Sequence, residues 1–288
     1  MKKANLAIIG GTGLYDIEGF KLVETIYPDT AWGKPSDEIT ICEWDGYRVA
    51  FLPRHGKGHS ISPTNIPQKA NMAALKMIGV EEIIAFSSVG SLKEEIAPGD
   101  FVLPSQVIDR TRHRDDTFYN EGIVVHVSFG DPFDASLAEL LSGVIVKEGI
   151  KLHKNETLIC MEGPSFSTRA ESKLYRTWGA GIINMTVLPE AKLARELEMS
   201  YQMVCMSTDY DSWRESEEAV TADEIMKTVT KNTTGAKKII QDSMPLFIAR
   251  GEKPSAFKGS VKFGIMTASE KRPRDIRNKL NSLLPDYF

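Results

Sequence analysis

Short apolar segments of strand length alternate along this chain with longer segments of helical spacing, and this alternation constrains the fold more than any other feature. Such an order predicts an α/β fold in which helices cover a mixed central sheet. The 288 residues are ample for one packed domain of this kind. We find no internal repeat, low-complexity run or linker, so we expect a single domain spanning residues 1–288.

The predicted strands are apolar runs bounded by glycine or polar residues. They are Leu6–Ile9, Ile39–Glu43, Tyr47–Leu52, Glu82–Phe86, Phe101–Ile108, Ile123–Phe129, Glu156–Met161, Gly181–Met185 and Tyr201–Met206. The predicted helices are Asn71–Met77, Ala135–Glu148, a helix opening at the capping box of Thr168, Pro189–Glu198, a long helix from the capping box of Thr221 toward Ala249, and Asp275–Leu284. Asp45-Gly46 is a hairpin signal between two of the strands.

Charge and composition exclude several classes of protein. The net charge of −4 argues against a nucleic-acid partner, which requires a basic face. No apolar run approaches the roughly 18 residues of a membrane span, and the apolar stretch at the N-terminus is too short for a signal peptide. The three scattered cysteines fit buried thiols in a reducing compartment, so we expect a cytoplasmic protein. Neither a CxxC pair nor a Cys/His cluster suggests a metal.

Polar motifs follow several predicted strands, and ligands bind at the carboxyl ends of strands in open α/β sheets. Gly10-Gly11-Thr12-Gly13 comes directly after the first strand, where glycines let backbone amides approach an anion. The dinucleotide-binding fingerprint would need a further glycine where Asp16 stands, and no Gly-Lys-Ser/Thr follows for a P-loop. A small-anion loop and a plain tight turn both remain open.

Two further motifs carry anion-binding groups. Arg54 and His55 follow the second hairpin strand, and an arginine fork with a neighbouring imidazole donor suits phosphate, although a solvated basic loop is an alternative. His55 and His59 have the spacing of a metal pair, but the glycines between them disfavour the helix that would align them. Ser87 and Ser88 close a strand, where hydroxyls serve equally as oxyanion donors or as turn residues.

Three later positions suggest contacts with a nucleoside, each with a structural alternative. Phe166 lies before a capped helix and can stack on a base or act as a hydrophobic staple. Met185 can pack under a ribose or belong to the core, and Thr186 beside it can reach a phosphate. Asp209 and Asp211 can converge on one ligand, where a buried protonated carboxyl would donate to a ring nitrogen, or they can form a solvated Asx turn.

Taken in order, these segments resemble the 5'-methylthioadenosine phosphorylase family within the trimeric purine nucleoside phosphorylases. The resemblance runs from Ile8 to about Thr221, and the segment from about Gly251 onward looks variable. The matching segments are Gly10-Gly11-Thr12-Gly13-Leu14, Phe51-Leu52-Pro53-Arg54-His55-Gly56, Val89-Gly90-Ser91-Leu92, Glu162-Gly163-Pro164 with Phe166-Ser167, Asn184-Met185-Thr186, Pro189-Glu190 and Thr208-Asp209-Tyr210-Asp211. Each segment is weak evidence by itself, whereas their joint order is specific.

The resemblance implies a role for each matching position. The phosphate site would comprise Thr12, Arg54, His55, Ser87, Ser88 and Thr186. The nucleoside would meet Met185 at the ribose, Phe166 at the base, Asp209 and Asp211 at the purine, and His126 from a neighbouring subunit of a homotrimer or dimer of trimers. Specificity would involve Ser167 and also Ala222, which stands where a larger valine is expected. Phosphate is a co-substrate in such a reaction, and neither a cofactor nor a metal is implied.

The expected function is therefore phosphorolysis of 5'-methylthioadenosine, with Asp209 as the acid for the leaving purine. A 6-amino group donates a hydrogen bond and so favours aspartate, whereas a 6-oxo group favours an amide donor. A 6-oxopurine nucleoside or methylthioinosine phosphorylase remains the alternative because protonation blurs this rule. A non-catalytic nucleoside-binding protein, a nucleosidase that uses water and a dinucleotide-dependent oxidoreductase are the competing classes, and the last fails at Asp16.

Overall fold

The protein was analysed as a computed structural model that describes residues 3–11, 13–14, 17–214, 222–285 and 287–288, with side chains of residues 222–226 excluded. The strands are β1 Leu6–Gly10, β2 Lys21–Ile26, β3 Ile39–Trp44, β4 Tyr47–Pro53, β5 Glu82–Ser91, β6 Phe101–Arg110, β7 Leu152–Met161, β8 Ile182–Asn184 and β9 Ser200–Tyr210. The α-helices are α1 Gln68–Met77, α2 Ala135–Lys147, α3 Arg169–Thr177, α4 Val187–Glu196, α5 Ala222–Arg250 and α6 Arg274–Asn281. The expected mixed α/β fold is confirmed.

The strands form one sheet in the order β2-β3-β4-β1-β5-β8-β7-β6-β9, and β9 also pairs with β5. This second pairing closes the strands from β5 to β9 into a ring, while β1 to β4 extend from it. Strands β1, β4, β5 and β9 are parallel, so their carboxyl ends lie at the same edge of the sheet. Polar residues that follow these four strands are therefore brought together by topology alone.

Alternation of side chains buries both faces of the sheet. On β5, Ile83 and Ala85 belong to one core cluster, and Ile84 and Phe86 belong to the other. Helices α1 and α4 cover the first face, and α2 and α5 cover the second. Covered faces explain why the central strands read as nearly continuous apolar runs in the sequence.

The elements of the structure differ from the expected ones in three respects. The segment from Ile123 to Phe129 is not a strand, because only Val125 makes an isolated pairing, with Ile265. Strand β2 was not predicted, because its mostly exposed side chains lack an apolar pattern. Two strands extend beyond their apolar runs, so Ser87–Ser91 lies inside β5 and Ser207–Tyr210 lies inside β9. Backbone pairing across the closed ring holds these polar residues in extended form.

Strand β5 changes partner along its length, and this positions the site. Its first half pairs with β1, whereas Gly90 and Ser91 pair with the antiparallel strand β8. A gap between neighbours therefore opens beside Ser87 and Ser88, in the manner of a topological switch point. None of the helices in the described part of the chain combines the length and apolar character needed to cross a membrane.

Candidate active site

A cavity of about 730 Å³ lies at the common carboxyl edge of the parallel strands. Its volume falls in the usual range of small-molecule sites. Its lining residues come from the ends of β1, β4, β5, β7, β8 and β9 and from α5. They are Gly11, Leu14, Arg54, His55, His59, Pro63, Phe86, Ser87, Ser88, Val89, Gly90, Met161, Phe166, Ile183, Asn184, Met185, Thr186, Met206, Thr208, Asp209, Tyr210, Asp211, Ser212, Val229 and Thr233.

Arg54 lies at the base of the cavity and is only 2% exposed. Its Nε and Nη2 donate to the two carboxylate oxygens of Glu190 at 3.0 and 3.1 Å, and its Nη1 donates to the carbonyl of Phe86 at 2.7 Å. The hydroxyl of Tyr201 donates to the same Glu190 carboxylate at 2.6 Å. The bidentate edge that suits phosphate is thus engaged by Glu190, and Arg54 is a rigidly oriented cation in the cavity wall.

His55 lines the cavity as a neutral imidazole. Burial lowers the pKa of His55 to about 4, and the charge of Arg54 acts in the same direction. Nδ1 lies 2.9 Å from the carbonyl of Ile61, which can only accept, so Nδ1 carries the proton. In the neutral ring, Nε2 is then an acceptor rather than the donor that the sequence suggested, and an acceptor suits a phosphate oxygen that carries a proton.

Hydroxyl groups gather where β5 and β8 diverge. Ser87 Oγ lies 3.4 Å from the Thr186 hydroxyl and accepts from Asn184 Nδ2 at 3.3 Å. Ser88 also lines the cavity, and Gly11 brings the glycine loop to it. These donors converge on the same space as Arg54, so the structure brings together the predicted phosphate residues that it describes. Thr12, the remaining one, lies outside the described residues.

Asp209 and Asp211 lie together at the end of β9, beside Gly90. A Cβ atom placed on Gly90 would be 3.2 Å from Ile183 Cγ2, 3.4 Å from Asp211 Cβ and 3.6 Å from Asp209 Oδ2, so both aspartates lie against this glycine. Burial raises the pKa of Asp209, the negative charge of Asp211 adds to the shift, and a 2.6 Å bond from the Thr208 hydroxyl opposes it. Burial also raises the pKa of Asp211. The pair is not a solvated turn.

Phe166 and Met185, two of the predicted nucleoside contacts, also line the cavity. Phe166 is 82% exposed and borders the cavity. Met185 packs over Gly163, where a Cβ atom would lie 2.5 Å from Met185 Sδ. The capping box of Thr168 and Glu171 is confirmed at the start of α3, and it fixes the end of the loop that carries Phe166. An exposed aromatic ring and a thioether thus flank a cavity wide enough for a nucleoside.

Three predicted positions are not in the cavity wall as described. Ser167 is buried behind it, with its carbonyl accepting from the Ser212 hydroxyl at 2.8 Å. His126 is exposed and does not line the cavity of its own chain. The side chain of Ala222 lies outside the described residues, as does Thr221 of the predicted capping box.

Sequence reasoning missed the residues that support the site. Glu190 and Tyr201 lie in apolar segments, and nothing local signals that their polar groups meet Arg54. Met161 ends a predicted strand without any polar signal, and Val229 and Thr233 lie within a long helix. Glu162 and Glu190 belong to two of the segments that carry the family resemblance. Their place in these segments was the one sequence signal that could have pointed to a role in the site. Within the described residues, no group of three His, Cys, Asp or Glu side chains is arranged to hold a metal ion.

The comparisons with known proteins agree with this geometry. Residues 5–244 match the family model described as the phosphorylase superfamily. The S-methyl-5'-thioadenosine phosphorylase of Schizosaccharomyces pombe is 50% identical, with 98% of this chain and 95% of that protein covered. The protein of the same name from Neurospora crassa is 48% identical, over 99% and 95% of the two chains.

Solved structures that resemble this chain are also methylthioadenosine phosphorylases. A methylthioadenosine phosphorylase from an Antarctic soil metagenomic library superposes with a TM-score of 0.94 at 40% identity, covering 99% of this chain and all of that one. A mutant adenosine/methylthioadenosine phosphorylase from Schistosoma mansoni, in complex with methylthioadenosine, gives a TM-score of 0.80 at 29% identity over 99% of each chain.

The fold, the cavity at the carboxyl edge of its parallel strands and the match over residues 5–244 identify an enzyme of the nucleoside phosphorylase class, a pentosyltransferase. Within that class, the chain belongs to the S-methyl-5'-thioadenosine phosphorylase family.

Proposed function

We infer that the chain catalyses the phosphorolysis of 5'-methylthioadenosine to adenine and 5-methylthioribose 1-phosphate. The observation that carries this inference is that the buried Asp211 and the half-buried Asp209, both with raised pKa values, line the same cavity as Arg54, Ser87 and Thr186. One end of the cavity suits an anion and the other suits a purine that must accept a proton. Relatives named for this activity at 48–50% identity support the same substrate.

We propose that phosphate is held by Arg54, His55, Ser87, Ser88 and Thr186, and that Thr12 contributes from the glycine loop. Hydroxyl and amide donors aimed at one point stabilise an anion without reorganisation. The positive charge of Arg54 acts inside the pocket, where it helps to lower the pKa of His55. His55 Nε2 accepts from the protonated oxygen of hydrogen phosphate, which selects the ionic form that binds.

In the reaction, the C1'–N9 bond breaks through a transition state of oxocarbenium character, as in glycoside cleavage. A phosphate oxygen forms the new bond to C1', and the electron pair of the broken bond passes to the purine. Asp209, whose pKa is raised by burial, acts as the acid and gives its proton to N7 of that purine, and Asp211 accepts from N7 or the 6-amino group. Solvent then reprotonates Asp209. The chemistry needs no cofactor beyond phosphate as co-substrate.

Met185 supports the ribose and Phe166 borders the base in this proposal. Leu14, Met206 and Val229 supply apolar wall, and that wall suits a methylthio group better than a hydroxyl. Ser167 fixes the Phe166 loop from behind and so acts on specificity indirectly. Ala222 is proposed to enlarge the space available at the 5' end of the substrate.

The test is a comparison of substrates in the purified protein. We expect release of free adenine from methylthioadenosine only when phosphate is added, with a kcat/KM above those for adenosine, methylthioinosine and inosine. Adenine release without phosphate would instead identify a nucleosidase, and binding without release would identify a non-catalytic protein. A higher kcat/KM for inosine or methylthioinosine would show the 6-oxopurine alternative to be correct.

We also propose that the protein works as a homotrimer or dimer of trimers in the cytoplasm, in purine and methionine salvage. Exposed apolar side chains surround the exposed His126 and include Val124, Met266 and Phe263, the last 86% exposed. Such a patch is typical of a protein interface. All three cysteines are free and buried, which suits a reducing compartment.

The assembly has its own test. Sedimentation is expected to give three or six times the 32.0 kDa chain mass. We expect His126→Ala to raise the nucleoside KM while assembly is retained, since the proposal places His126 in the neighbouring subunit's site. A fully active monomer would contradict both parts. We further propose that residues 1–288 act as one domain, since Val261, Leu280 and Leu284 near the C-terminus pack into the main core cluster.

A further inference from the structure

Arg114 is a buried arginine that the mechanism above does not use. It lies in the segment that follows β6, and its side chain is only 3% exposed. Each of its five N–H groups has an acceptor. Nε faces the Glu162 carboxylate at 3.4 Å, Nη1 donates to the carbonyls of Met185 (2.7 Å) and Leu188, and Nη2 donates to those of Met161 (3.3 Å) and Glu162 (2.7 Å).

These acceptors lie where two strands of the site stop pairing. The parallel ladder of β7 and β8 ends at the pair Cys160 and Asn184, so Met161 and Met185 are the first residues beyond it. Both methionines line the cavity. Beyond the last pair of the β7–β8 ladder, the guanidinium of Arg114 therefore links the two strand ends. It fixes the distance between Met161 and Met185 in the cavity wall.

Arg114 controls the position of Met185 in two ways, directly at its backbone and indirectly through the surface on which its side chain packs. Arg114 binds its carbonyl, and its thioether packs on Gly163, where a Cβ atom would lie 2.5 Å from Sδ. The carbonyl of Glu162, directly before Gly163, is bound by Nη2 of Arg114. A shift of the guanidinium thus moves both the methionine and the surface on which it rests.

The carboxylate of Glu162 connects Arg114 to a third part of the cavity wall, the segment at Pro63 and Thr64. Oε1 accepts from the Thr64 hydroxyl, next to the cavity residue Pro63. Oε2 accepts from the backbone N–H of Arg112 at 2.6 Å. Although burial opposes ionisation, these hydrogen bonds and the charge of Arg114 hold the pKa of Glu162 below its usual value. The carboxylate thereby anchors the segment that carries Arg114.

We propose that Arg114, oriented by Glu162, is a positioning residue that sets Met161 and Met185 at the nucleoside half of the cavity. This inference rests on the proposed function, because it assigns that half of the cavity to the nucleoside. Most of the proposed phosphate residues, Arg54, Ser87 and Ser88, lie just after β4 and within β5, whereas Thr186 alone follows Met185 directly. Loss of the Arg114 geometry should therefore weaken nucleoside binding more than phosphate binding.

Arg114→Lys is the first test, because lysine keeps the charge but cannot fork across four carbonyls. We expect the nucleoside KM of the folded variant to rise about 10-fold or more, since small misplacements in a site have large effects. The phosphate KM should rise much less than the nucleoside KM. Arg112→Lys, an exposed arginine of the same segment, is the matched control and should leave both constants unchanged. A purely structural role would lower the folded fraction and leave both KM values unchanged, and that result would overturn the proposal.

Glu162→Gln is the second variant, for the case in which Arg114→Lys does not fold. An amide keeps an acceptor for Arg114, but its NH2 group would face the backbone N–H groups of Arg112 and His113, which are also donors. We expect this clash to displace the segment and raise the nucleoside KM several-fold, with a smaller effect on the phosphate KM. An unchanged nucleoside KM in the folded variant would overturn the proposal.

Calorimetric titration of methylthioadenosine without phosphate separates this inference from the proposed function. Wild-type protein that binds methylthioadenosine but releases no adenine would remove the phosphorolysis proposal alone. The Arg114 proposal still requires that Arg114→Lys or Glu162→Gln bind methylthioadenosine more weakly than wild type and Arg112→Lys do. Equal affinity in all four proteins would remove the positioning role whatever the activity.

Discussion

Asp209→Asn is expected to lower kcat/KM for methylthioadenosine by about 10²–10⁴-fold, the usual contribution of a general acid. Asparagine occupies the same space and can still donate a hydrogen bond, but it cannot transfer a proton to N7. With methylthioinosine the loss should be much smaller, since an amide donor suits a 6-oxo group. The measurement is kcat/KM for both nucleosides at saturating phosphate.

The matched control for this substitution is Asp29→Asn, an exposed aspartate outside the cavity. It should leave both specificity constants unchanged. An equal loss on methylthioadenosine and methylthioinosine in Asp209→Asn would remove Asp209 from the discrimination between 6-amino and 6-oxo purines. A negligible loss on both would remove it as the acid.

The pH dependence of the same reaction carries a definite sign. Burial and the charge of Asp211 raise the pKa of Asp209, so its protonated form persists to higher pH than in water. Because the protonated form is the active one, kcat for methylthioadenosine should fall as pH rises through this raised pKa. The fall should be absent in Asp209→Asn. A rise of kcat over that range in wild type would show that the ionised carboxylate acts instead.

Arg54→Met is expected to have the largest effect on stability, with a loss of about 3–5 kcal/mol in the free energy of unfolding. The substitution leaves the carboxylate of Glu190, which is wholly buried, without its cation. It should also raise the phosphate KM by about 10–100-fold, because the cavity wall loses its oriented cation and an interaction with a charged group contributes about 1.5–3 kcal/mol. Chemical denaturation and initial rates at varied phosphate measure the two effects.

The double variant Arg54→Met, Glu190→Gln separates stability from binding. Removing both charges from a buried pair is often neutral, and the Tyr201 hydroxyl can still donate to the glutamine oxygen. We expect most of the lost stability to return while the phosphate KM stays high. If the folded double variant binds phosphate as tightly as wild type, Arg54 acts only in folding.

These two sites show how much the sequence could predict. Asp209 and Asp211, two residues apart after an apolar strand, were predicted from the sequence to converge on one ligand, and the structure places both beside Gly90 in the cavity wall. Arg54 was also predicted, but only as a phosphate fork. That its fork binds Glu190 depends on a contact across 136 residues, which no local pattern encodes.

The two clearest errors in the strands predicted from the sequence have the same origin. The apolar segment from Ile123 to Phe129 has the composition of a strand but no neighbouring strand to pair with. The polar residues Ser207–Tyr210 lack that composition, yet they extend β9 because β5 lies beside them. In both cases the pairing partner, which is distant in sequence, decided the backbone conformation.

The sequence by itself determined the α/β class, most central strands, the capped helix at Thr168 and the residues that carry charge or hydroxyl groups to the strand ends. These features depend on local periodicity, capping and turn chemistry, which neighbouring residues encode. Only the tertiary structure decided that β9 closes on β5, that Glu190 pairs with and orients Arg54 and that Arg114 joins two walls of the cavity. Those outcomes depend on burial and on partners far apart in the chain, and such contacts exist only once the sheet has formed.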